Sequence, residues 1–302
     1  MLNEEVVDIE RERKCGLDPT VTEMRVPCAP YRRSGDQYCQ QTHDPNDKSL
    51  DAHMIPYLAQ PRFEIMGLTF YAFGVFAATA LLLGWWAIMR RAQKVGLGRG
   101  KVARLTFHML WWGFWGSHML YLALFRTEDL TRRPWRLLNP LDGIYSFGGI
   151  LSGIAVSVWL ARRYNFTRRQ LWLYLDAVGF VFPFCWTIAR AGCALAHDHV
   201  GVASTSWIAV RFPEGPHLDL GLIEAISSAG LALCFLLLDR LTWPAPFFFG
   251  LSLFGNGLFR LWLDTLHNSP ATSDRSFGWG STALGCVMLI ASWQHRVRRY
   301  PA

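Results

Sequence analysis

The sequence predicts an all-α membrane protein with seven transmembrane helices. Three observations predict it: the charged residues are unevenly distributed, the C-terminal part contains recurring long apolar runs, and basic residues form short clusters between those runs. The runs are about 17–22 residues long, enough to cross about 30 Å of hydrocarbon at 1.5 Å per residue. A water-soluble domain would interrupt such runs with a polar face.

The charge distribution divides the chain into two parts. Residues 1–66 hold 8 Lys/Arg and 12 Asp/Glu, whereas residues 67–302 hold 22 Lys/Arg and 11 Asp/Glu. We interpret residues 1–66 as an acidic extramembrane N-terminal tail and residues 67–302 as a seven-helix transmembrane domain. The sequence pI of about 9.2 does not indicate a nucleic-acid partner, because basic clusters between apolar runs are typical of membrane topology signals.

Seven apolar segments are the predicted spans, and the first contains no charged residue. They lie at residues 68–89, 105–125, 144–161, 171–190, 220–238, 245–266 and 278–293. The connections after spans 1 and 3 and the chain after span 7 carry Lys and Arg without an acid. These stretches are therefore predicted to be cytoplasmic. The connection at 239–244 is neutral, and the remaining ones mix Arg with Asp, Glu and His, so the N-terminus is predicted outside and the C-terminus in the cytoplasm.

The N-terminal tail contains three of the seven cysteines, Cys15, Cys28 and Cys39. Its first residues are acidic and lack the apolar core of a signal peptide, so the first span is expected to translocate the tail. An external location would permit one disulfide with one thiol left over, and the pairing stays open. The other cysteines are interpreted as small packing residues: Cys185, Cys193, Cys234 and Cys286.

Ionisable side chains within the spans are candidate functional residues, because a charge in hydrocarbon is costly and usually faces an internal cavity. Arg190 lies about 29 Å along span 4, where it either snorkels to the headgroups or binds a phosphate bidentately. Arg260 and Asp264 are four residues apart and share a helix face. This pair either neutralises itself or holds the arginine for a ligand. Asp176, at the cytoplasmic start of span 4, is a weaker candidate.

Further polar groups lie toward the same outer side of the predicted bundle. Glu224 is enclosed by apolar neighbours in span 5, and His118 lies near the outer end of span 2. Tyr71 is in span 1, where an aromatic-belt anchor is the alternative. Arginines, carboxylates, a tyrosine and histidines at headgroup depth predict a site for an anionic lipid headgroup.

The segment His197-Asp198-His199 raises the question of a metal site. Ligands two residues apart suit a strand better than a helix, and no further Cys/His set stands at ligand spacing. We therefore predict neither a metal ion nor a cofactor.

Five short patterns follow one another in a fixed order along the body. They are Phe70-Tyr71-Ala72, residues 146–153 (SFGGILSG), 189–201 (ARAGCALAHDHVG), 221–224 (GLIE) and 259–264 (FRLWLD). With the seven apolar runs, this series resembles the prolipoprotein diacylglyceryl transferase family, bacterial inner-membrane enzymes that lipidate lipoprotein precursors. The resemblance covers about residues 63–299 and leaves out the tail.

The resemblance keeps some motif residues and replaces others. Kept are Tyr71, Arg190, Gly192, Gly201, Glu224 and Arg260. The family histidine of S-F-H-G-G falls on Gly148, and two signature asparagines fall on Cys193 and Ala196. Two family glutamates are shortened to Asp198 and Asp264.

The resemblance implies transfer of a diacylglyceryl group from phosphatidylglycerol to the lipobox cysteine of prolipoproteins, in the bacterial inner (plasma) membrane. The implied partners are phosphatidylglycerol, prolipoprotein signal peptides and membrane lipid. Arg190 and Arg260 would bind the phosphate. The implied catalytic set is Arg190, Arg260, Tyr71, Glu224, Asp198 and Asp264. Because the family histidine is absent, the base is left open among His118, His197 and His199.

Three other functions are compatible with an apolar helical chain. A paralogue that binds anionic phospholipid without chemistry is motivated by Gly148 and Cys193. A retinal photoreceptor needs a lysine in its last span, and residues 278–293 contain none. A transporter is disfavoured because the spans lack the Gly/Pro-interrupted pairing of inverted repeats.

Overall fold

The computed structural model describes residues 53–65, 68–139, 143–267 and 272–299. Internal contacts divide the chain at residue 51, and all the described residues belong to the second unit. The tail cysteines Cys15, Cys28 and Cys39, for which the sequence permits a disulfide, lie outside the described residues.

The chain enters the helical body through a short hairpin. Strand β2 (Arg62–Ile65) pairs antiparallel with β3 (Leu68–Tyr71), and helix α1 follows directly (Ala72–Lys94). The predicted first span began at residue 68, but residues 68–71 are extended. At its other end α1 continues past residue 89 through basic residues, because a helix C-terminus favours cations. An apolar run therefore predicts which part of a helix can lie in hydrocarbon. It does not predict where the helix begins or ends.

The first half of the body contains two more long helices. Helix α2 (Arg99–Phe125) is followed by the short helix α3 (Thr127–Arg132) and a 3₁₀ turn (Pro134–Leu138). Helix α4 (Ser146–Arg163) then returns along α2. Both long helices overlap the predicted second and third spans.

The second half contains four long helices and three strands. They are α5 (Arg168–Ala196), β4 (Val200–Ala203), β5 (Val210–Phe212), β6 (Gly215–Asp219), α6 (Leu220–Leu238), α7 (Phe247–Leu263), a 3₁₀ turn (Asp264–Leu266) and α8 (Thr272–Arg299). Within the described residues, seven helices thus have 17 residues or more, and each overlaps one predicted span.

Three of these helices, α1, α5 and α6, are long and apolar enough to cross a membrane. Large apolar side chains are exposed on them, including Leu81, Leu82 and Leu83 on α1. Soluble monomers rarely expose such contiguous apolar surface, so these faces suit lipid. The number of seven spans and their orientation stay predictions.

A small sheet was not expected from the sequence, which assigned residues 191–219 to a connection. The sheet has the order β1-β5-β6-β4, with β1 (Ile55–Pro56) parallel to β5 and the other pairs antiparallel. Residues 55–56, counted in the tail by the sequence analysis, are therefore part of this sheet. An apolar cluster joins the sheet to α6 and α7: Met54, Ala209, Leu218, Leu220, Ile223 and Leu263.

The basic connections between helices lie at the end of the bundle opposite the sheet. Arg91 Nη2, at the end of α1, lies 2.7 Å from Asp239 Oδ1, just after α6. The Arg104 guanidinium of α2 lies 5.3 Å from the ring centre of Tyr164, just after α4. We name this end the basic end and the opposite end the sheet end. The predicted cytoplasmic connections after α1 and α4 thus lie at one end.

Helix α5 is central, because it packs against α1, α6 and α7. Glycines allow the close approaches. A Cβ atom on Gly179 would lie 2.3 Å from the Phe249 Cα of α7, and one on Gly221 of α6 would lie 2.9 Å from the Ala194 backbone nitrogen. Any side chain at these positions would push the helices apart.

Asp176 of α5 has a structural partner at the basic end. Its Oδ1 accepts hydrogen bonds from the backbone N–H groups of Phe248 (2.7 Å) and Phe249 (3.4 Å) at the start of α7. The first N–H groups of a helix have no partner within the helix. Asp176 therefore caps α7 from a neighbouring helix, which accounts for a carboxylate at this position without a role in the predicted lipid site.

We predict that Asp176→Ala destabilises the protein by about 1–2 kcal/mol, the cost of losing a helix cap. The measurement is the midpoint of thermal unfolding in detergent. Asp176→Asn is the matched control, because its amide oxygen still accepts a hydrogen bond. An alanine variant as stable as the asparagine variant would contradict the capping role.

Candidate functional site

Helix α5 carries Arg190 to the sheet end of the bundle. The helix begins with a capping box, in which Thr167 and Gln170 each accept a hydrogen bond from the other's backbone N–H, and it ends with His197 in the left-handed conformation (φ 52°). Gly192, two residues after Arg190, lets α1 approach closely, because a Cβ there would lie 2.8 Å from the Phe76 Cβ. With the approach of α6 at Gly221, helices flank Arg190 on two sides.

Arg190 forms a buried ion pair with Glu224 of α6. The Arg190 Nε lies 2.9 Å from Glu224 Oε2, and the two side chains are only 8% and 7% exposed. Trp186 Nε1 donates to Glu224 Oε1 at 3.3 Å, and the Trp186 ring centre lies 4.6 Å from Arg190 Cζ. The structure thus brings together two residues that the sequence predicted for one site. It adds Trp186, which contacts both.

A thiol lies at the edge of this ion pair. Arg190 Nη1 lies 3.7 Å from Cys193 Sγ, and Cys193 is buried. Cys193 occupies the position of a signature asparagine in the motif. A thiol is a weak acceptor where an amide oxygen would be a strong one, so this side of Arg190 is held less firmly.

Arg260 and Asp264 form the second predicted pair. Arg260 Nε lies 3.1 Å from Asp264 Oδ1 across one helical turn, and the Asp264 side chain is buried. Asp264 starts the 3₁₀ turn that follows α7. The i,i+4 contact that the spacing predicted is therefore present.

The two arginines lie at the same depth in the bundle. Helices α5 and α7 run in the same direction and touch where Gly179 meets Phe249. Arg190 and Arg260 each lie eleven residues beyond that contact, which is about 16 Å along each helix. The apolar cluster at the sheet end includes Ile223, beside Glu224, and Leu263, beside Asp264. Both pairs therefore belong to one region.

Tyr71 lies at the same end, at the start of α1. It precedes the first helical residue in extended conformation and is 53% exposed. Phe73 and Phe76, just after it, pack against Gly192. Tyr71 is thus near the height of Arg190, and the structure shows no direct contact between the two side chains.

Two of the three candidate bases have both ring nitrogens engaged. His118 is fully buried, with Nδ1 2.8 Å from the Gly143 carbonyl oxygen and Nε2 3.0 Å from that of Arg136. His197 places Nδ1 2.6 Å from Asp219 Oδ2 and Nε2 3.0 Å from a backbone carbonyl. Neither ring has a nitrogen free to take a proton from a substrate, so both histidines hold the fold in this arrangement.

His199 differs from the other two because its ring is partly exposed. Its Nδ1 lies 2.9 Å from Asp198 Oδ1, and the two side chains are 34% and 41% exposed. The structure therefore pairs the signature carboxylate Asp198 with a histidine beyond the end of α5. Among the interactions seen between the described residues, none joins Asp198 or His199 to Arg190.

Backbone and side-chain atoms fill the space around Gly148, the position where the motif resemblance places a family histidine. A Cβ on Gly148 would lie 2.5 Å from the Gly116 carbonyl oxygen and 2.6 Å from the Leu120 Cβ. Gly113 and Gly149 meet at the same crossing of α2 and α4. Any side chain at position 148 would therefore require the two helices to move apart.

Trp186 and Asp219 were missed from the sequence. Trp186 precedes Arg190 by four residues, a spacing that places both on one helix face. Asp219 precedes the apolar run of α6, and its Oδ1 accepts from Leu222 N–H at 3.0 Å, as an N-cap does. The sequence thus contains a signal for Trp186 and one for Asp219. Neither signal identifies the residue on another helix that the side chain contacts.

Comparison with known protein families identifies the family of this chain. The model of the family described as prolipoprotein diacylglyceryl transferase matches residues 61–293. The chain belongs to the prolipoprotein diacylglyceryl transferase family. The motif resemblance stated above is thereby confirmed, and the mainly helical body with apolar surface agrees with this family of membrane proteins.

Relatives within the family are similar over part of the chain. The chain is 27% identical over 179 residues to the phosphatidylglycerol–prolipoprotein diacylglyceryl transferase of Yersinia pestis (strain Pestoides F), a match that covers 56% of this chain and 60% of that protein. The transferase of Yersinia pseudotuberculosis (serotype O:1b, strain IP 31758) gives the same figures. The match thus spans less than two thirds of these relatives.

We predict that Glu224→Ala destabilises the protein by about 3–5 kcal/mol, because it leaves the buried Arg190 charge without a partner. The double variant Arg190→Met/Glu224→Leu is expected to be more stable than the single one. Both are measured as thermal unfolding midpoints in detergent. Equal or greater loss in the double variant would contradict a compensated buried pair.

We predict that Gly148→Ala lowers folded yield and unfolding temperature, because its Cβ collides with the backbone of α2. Overpacking of this kind costs about 1–3 kcal/mol. Gly74→Ala is the control, since a Cβ there meets nothing within 4 Å. If both variants behave alike, the close crossing of α2 and α4 is refuted.

Proposed function

We propose that this chain transfers a diacylglyceryl group from phosphatidylglycerol to the lipobox cysteine of a prolipoprotein. The observation that carries the proposal is the buried Arg190–Glu224 pair at the same depth as Arg260–Asp264. Family membership and the names of the relatives, which state both substrates, support it. The proposed partners are therefore phosphatidylglycerol, prolipoprotein signal peptides and the surrounding membrane lipid, without nucleic acid.

We also propose a multi-pass arrangement in the bacterial inner membrane. Seven spans, an external N-terminus and a cytoplasmic C-terminus would place the sheet end at the outer leaflet. The clustering of basic connections at the opposite end supports this orientation. A lipidating site at the outer leaflet is where an exported precursor would meet its lipid donor.

Arg190 is suited to hold the phosphate of the lipid. A guanidinium carries five N–H donors, and the contact with Glu224 is made by Nε. The ion pair thus fixes the guanidinium plane and leaves donors for phosphate oxygens, which accept bidentately. Trp186 covers one face of the guanidinium and removes water from it. Arg260, fixed by Asp264 in the same way, is the proposed second phosphate ligand.

The proposed reaction is a displacement at the glyceryl carbon that bears the phosphate. The cysteine sulfur forms a bond to that carbon, the carbon–oxygen bond breaks, and glycerol phosphate leaves with the bonding electrons. Negative charge grows on the leaving phosphate, and arginines held in a water-poor region stabilise it. Tyr71, exposed at the head of α1, is positioned toward this end for contact with substrate.

The thiol proton needs an acceptor. Of the three imidazoles considered, His199 keeps a partly exposed ring and a carboxylate partner, Asp198. We therefore propose His199 as the base and Asp198 as the residue that orients it.

A second candidate function is lipid binding without transfer. The observation that favours it is the closed crossing at Gly148, where the family histidine would stand. In this case the arginines would still bind phosphatidylglycerol, and no thioether would form.

The decisive experiment incubates the purified chain with phosphatidylglycerol and a lipobox peptide, alongside an active family enzyme. We expect a thioether-linked diacylglyceryl peptide. Arg190→Lys and Arg260→Lys should each lower kcat/KM about 10²-fold, because lysine lacks the planar fork. Arg162→Lys, at the exposed basic end, is the matched control.

Two outcomes separate the candidate functions. Phosphatidylglycerol binding that depends on Arg190, without any thioether product, would establish the lipid-binding function. Wild-type activity that survives both arginine substitutions would refute the assigned phosphate site.

A further inference from the structure

A contact between His197 and Asp219 joins the end of α5 to the residue before α6. His197, at the end of α5, has Nδ1 2.6 Å from Oδ2 of Asp219, the residue before α6. Asp219 is 1% exposed. Neither residue is specified by the family motifs, because His197 falls on a variable position of the signature and Asp219 precedes the 221–224 pattern.

Two acceptors hold the ring of His197 from both sides. Its Nε2 lies 3.0 Å from the Leu58 carbonyl oxygen, and its Nδ1 lies against the Asp219 carboxylate. The orientation of the ring is therefore fixed at both nitrogens.

Aromatic rings enclose the His197 imidazole. Tyr57 stacks on it with ring centres 4.6 Å apart and an angle of 27°, and Phe212 presents its edge at 5.2 Å. Leu58 and Tyr57 follow strand β1 directly. His197 therefore fastens residues 54–58 across the sheet end, above the region of the arginine pairs.

His197 and Asp219 adjoin the two helices that carry Arg190 and Glu224, and lie close to these residues along the chain. His197 lies seven residues after Arg190, and Asp219 lies five residues before Glu224. Asp219 also caps α6 through Leu222 N–H. One carboxylate thus fixes the end of α5 and the start of α6, the two helices that must stay in register for Arg190 to meet Glu224.

We infer that His197 and Asp219 are a positioning pair for the reaction. The contact between His197 and Asp219 sets the register of α5 and α6, and thereby the orientation of the Arg190 guanidinium toward the lipid phosphate. This inference rests on the proposed transferase function. The polar groups around His197 are Asp219 just before α6, Tyr57 after β1, His217 beyond Phe212 on the sheet, and the adjacent Asp198 and His199.

The test compares conservative variants in the transfer assay. Asp219→Asn keeps an N-cap oxygen, and His197→Asn tolerates a positive φ. Each should lower kcat roughly tenfold with little change in KM for the peptide, the size expected from one charge-assisted hydrogen bond. His217→Asn, in the same sheet, is the control and should match the wild type.

The split between kcat and KM separates positioning of the arginine from a loss of peptide binding. Folded variants with wild-type kcat, or with wild-type kcat and a raised KM for the peptide, would overturn the inference.

A stability measurement keeps this test independent of the transferase proposal. Thermal unfolding midpoints of the wild type, the two single variants and the double variant form a cycle. Coupling between His197 and Asp219 supports the link between the two side chains, and additive effects refute it. An inactive wild type that shows this coupling refutes the transferase function alone.

Discussion

The ion pair between Arg190 and Glu224 is the interaction on which the arrangement of the site depends. Two charges buried between helices are costly to desolvate, and their attraction offsets that cost only when the geometry is close and the remaining donors are used. The Nε–Oε2 distance of 2.9 Å and the Trp186 contacts meet this condition. Such a pair adds little net stability, so its presence in an apolar bundle indicates a task for the charge.

The packing around this pair follows from the same requirement. Gly192 and Gly221 remove side chains where α1 and α6 approach α5, which brings Glu224 within reach of Arg190. The cap on α6 at Asp219 and the end of α5 at His197 fix how the two helices are joined. The close approach of the helix backbones therefore brings the two charged side chains together. His197 and Asp219 fix the connection between the two helices that carry them.

Arginine has different surroundings at the two ends of the bundle. At the basic end, Arg91 lies 3.4 Å from the centre of the Phe180 ring and pairs with the exposed Asp239, and Arg162 is open to solvent. At the sheet end, Arg190 is buried between helices. The formal charge of +7 is therefore no guide to ligand binding, whereas burial together with a dedicated carboxylate is.

The sequence predicts the local features of this protein well and the long-range ones poorly. Seven long helices follow from apolar runs, and the Arg260–Asp264 contact follows from a spacing of four residues. The sheet cannot be predicted in this way, because β1 and β5 are short and about 150 residues apart in the chain. The partners of His197 lie 22 and 139 residues away, and hydrophobic periodicity carries no information about pairs at such separations. Arg190 and Glu224 were found through family motifs, and their contact had to come from the fold.

The crossing of α2 and α4 also limits which residues position 148 can hold. Gly113 and Gly116 of one helix meet Gly148 and Gly149 of the other with backbone in direct contact. A single substitution cannot place a large side chain at position 148, since the helices would first have to separate by the width of that side chain. A change of residue there therefore needs compensating changes along α2.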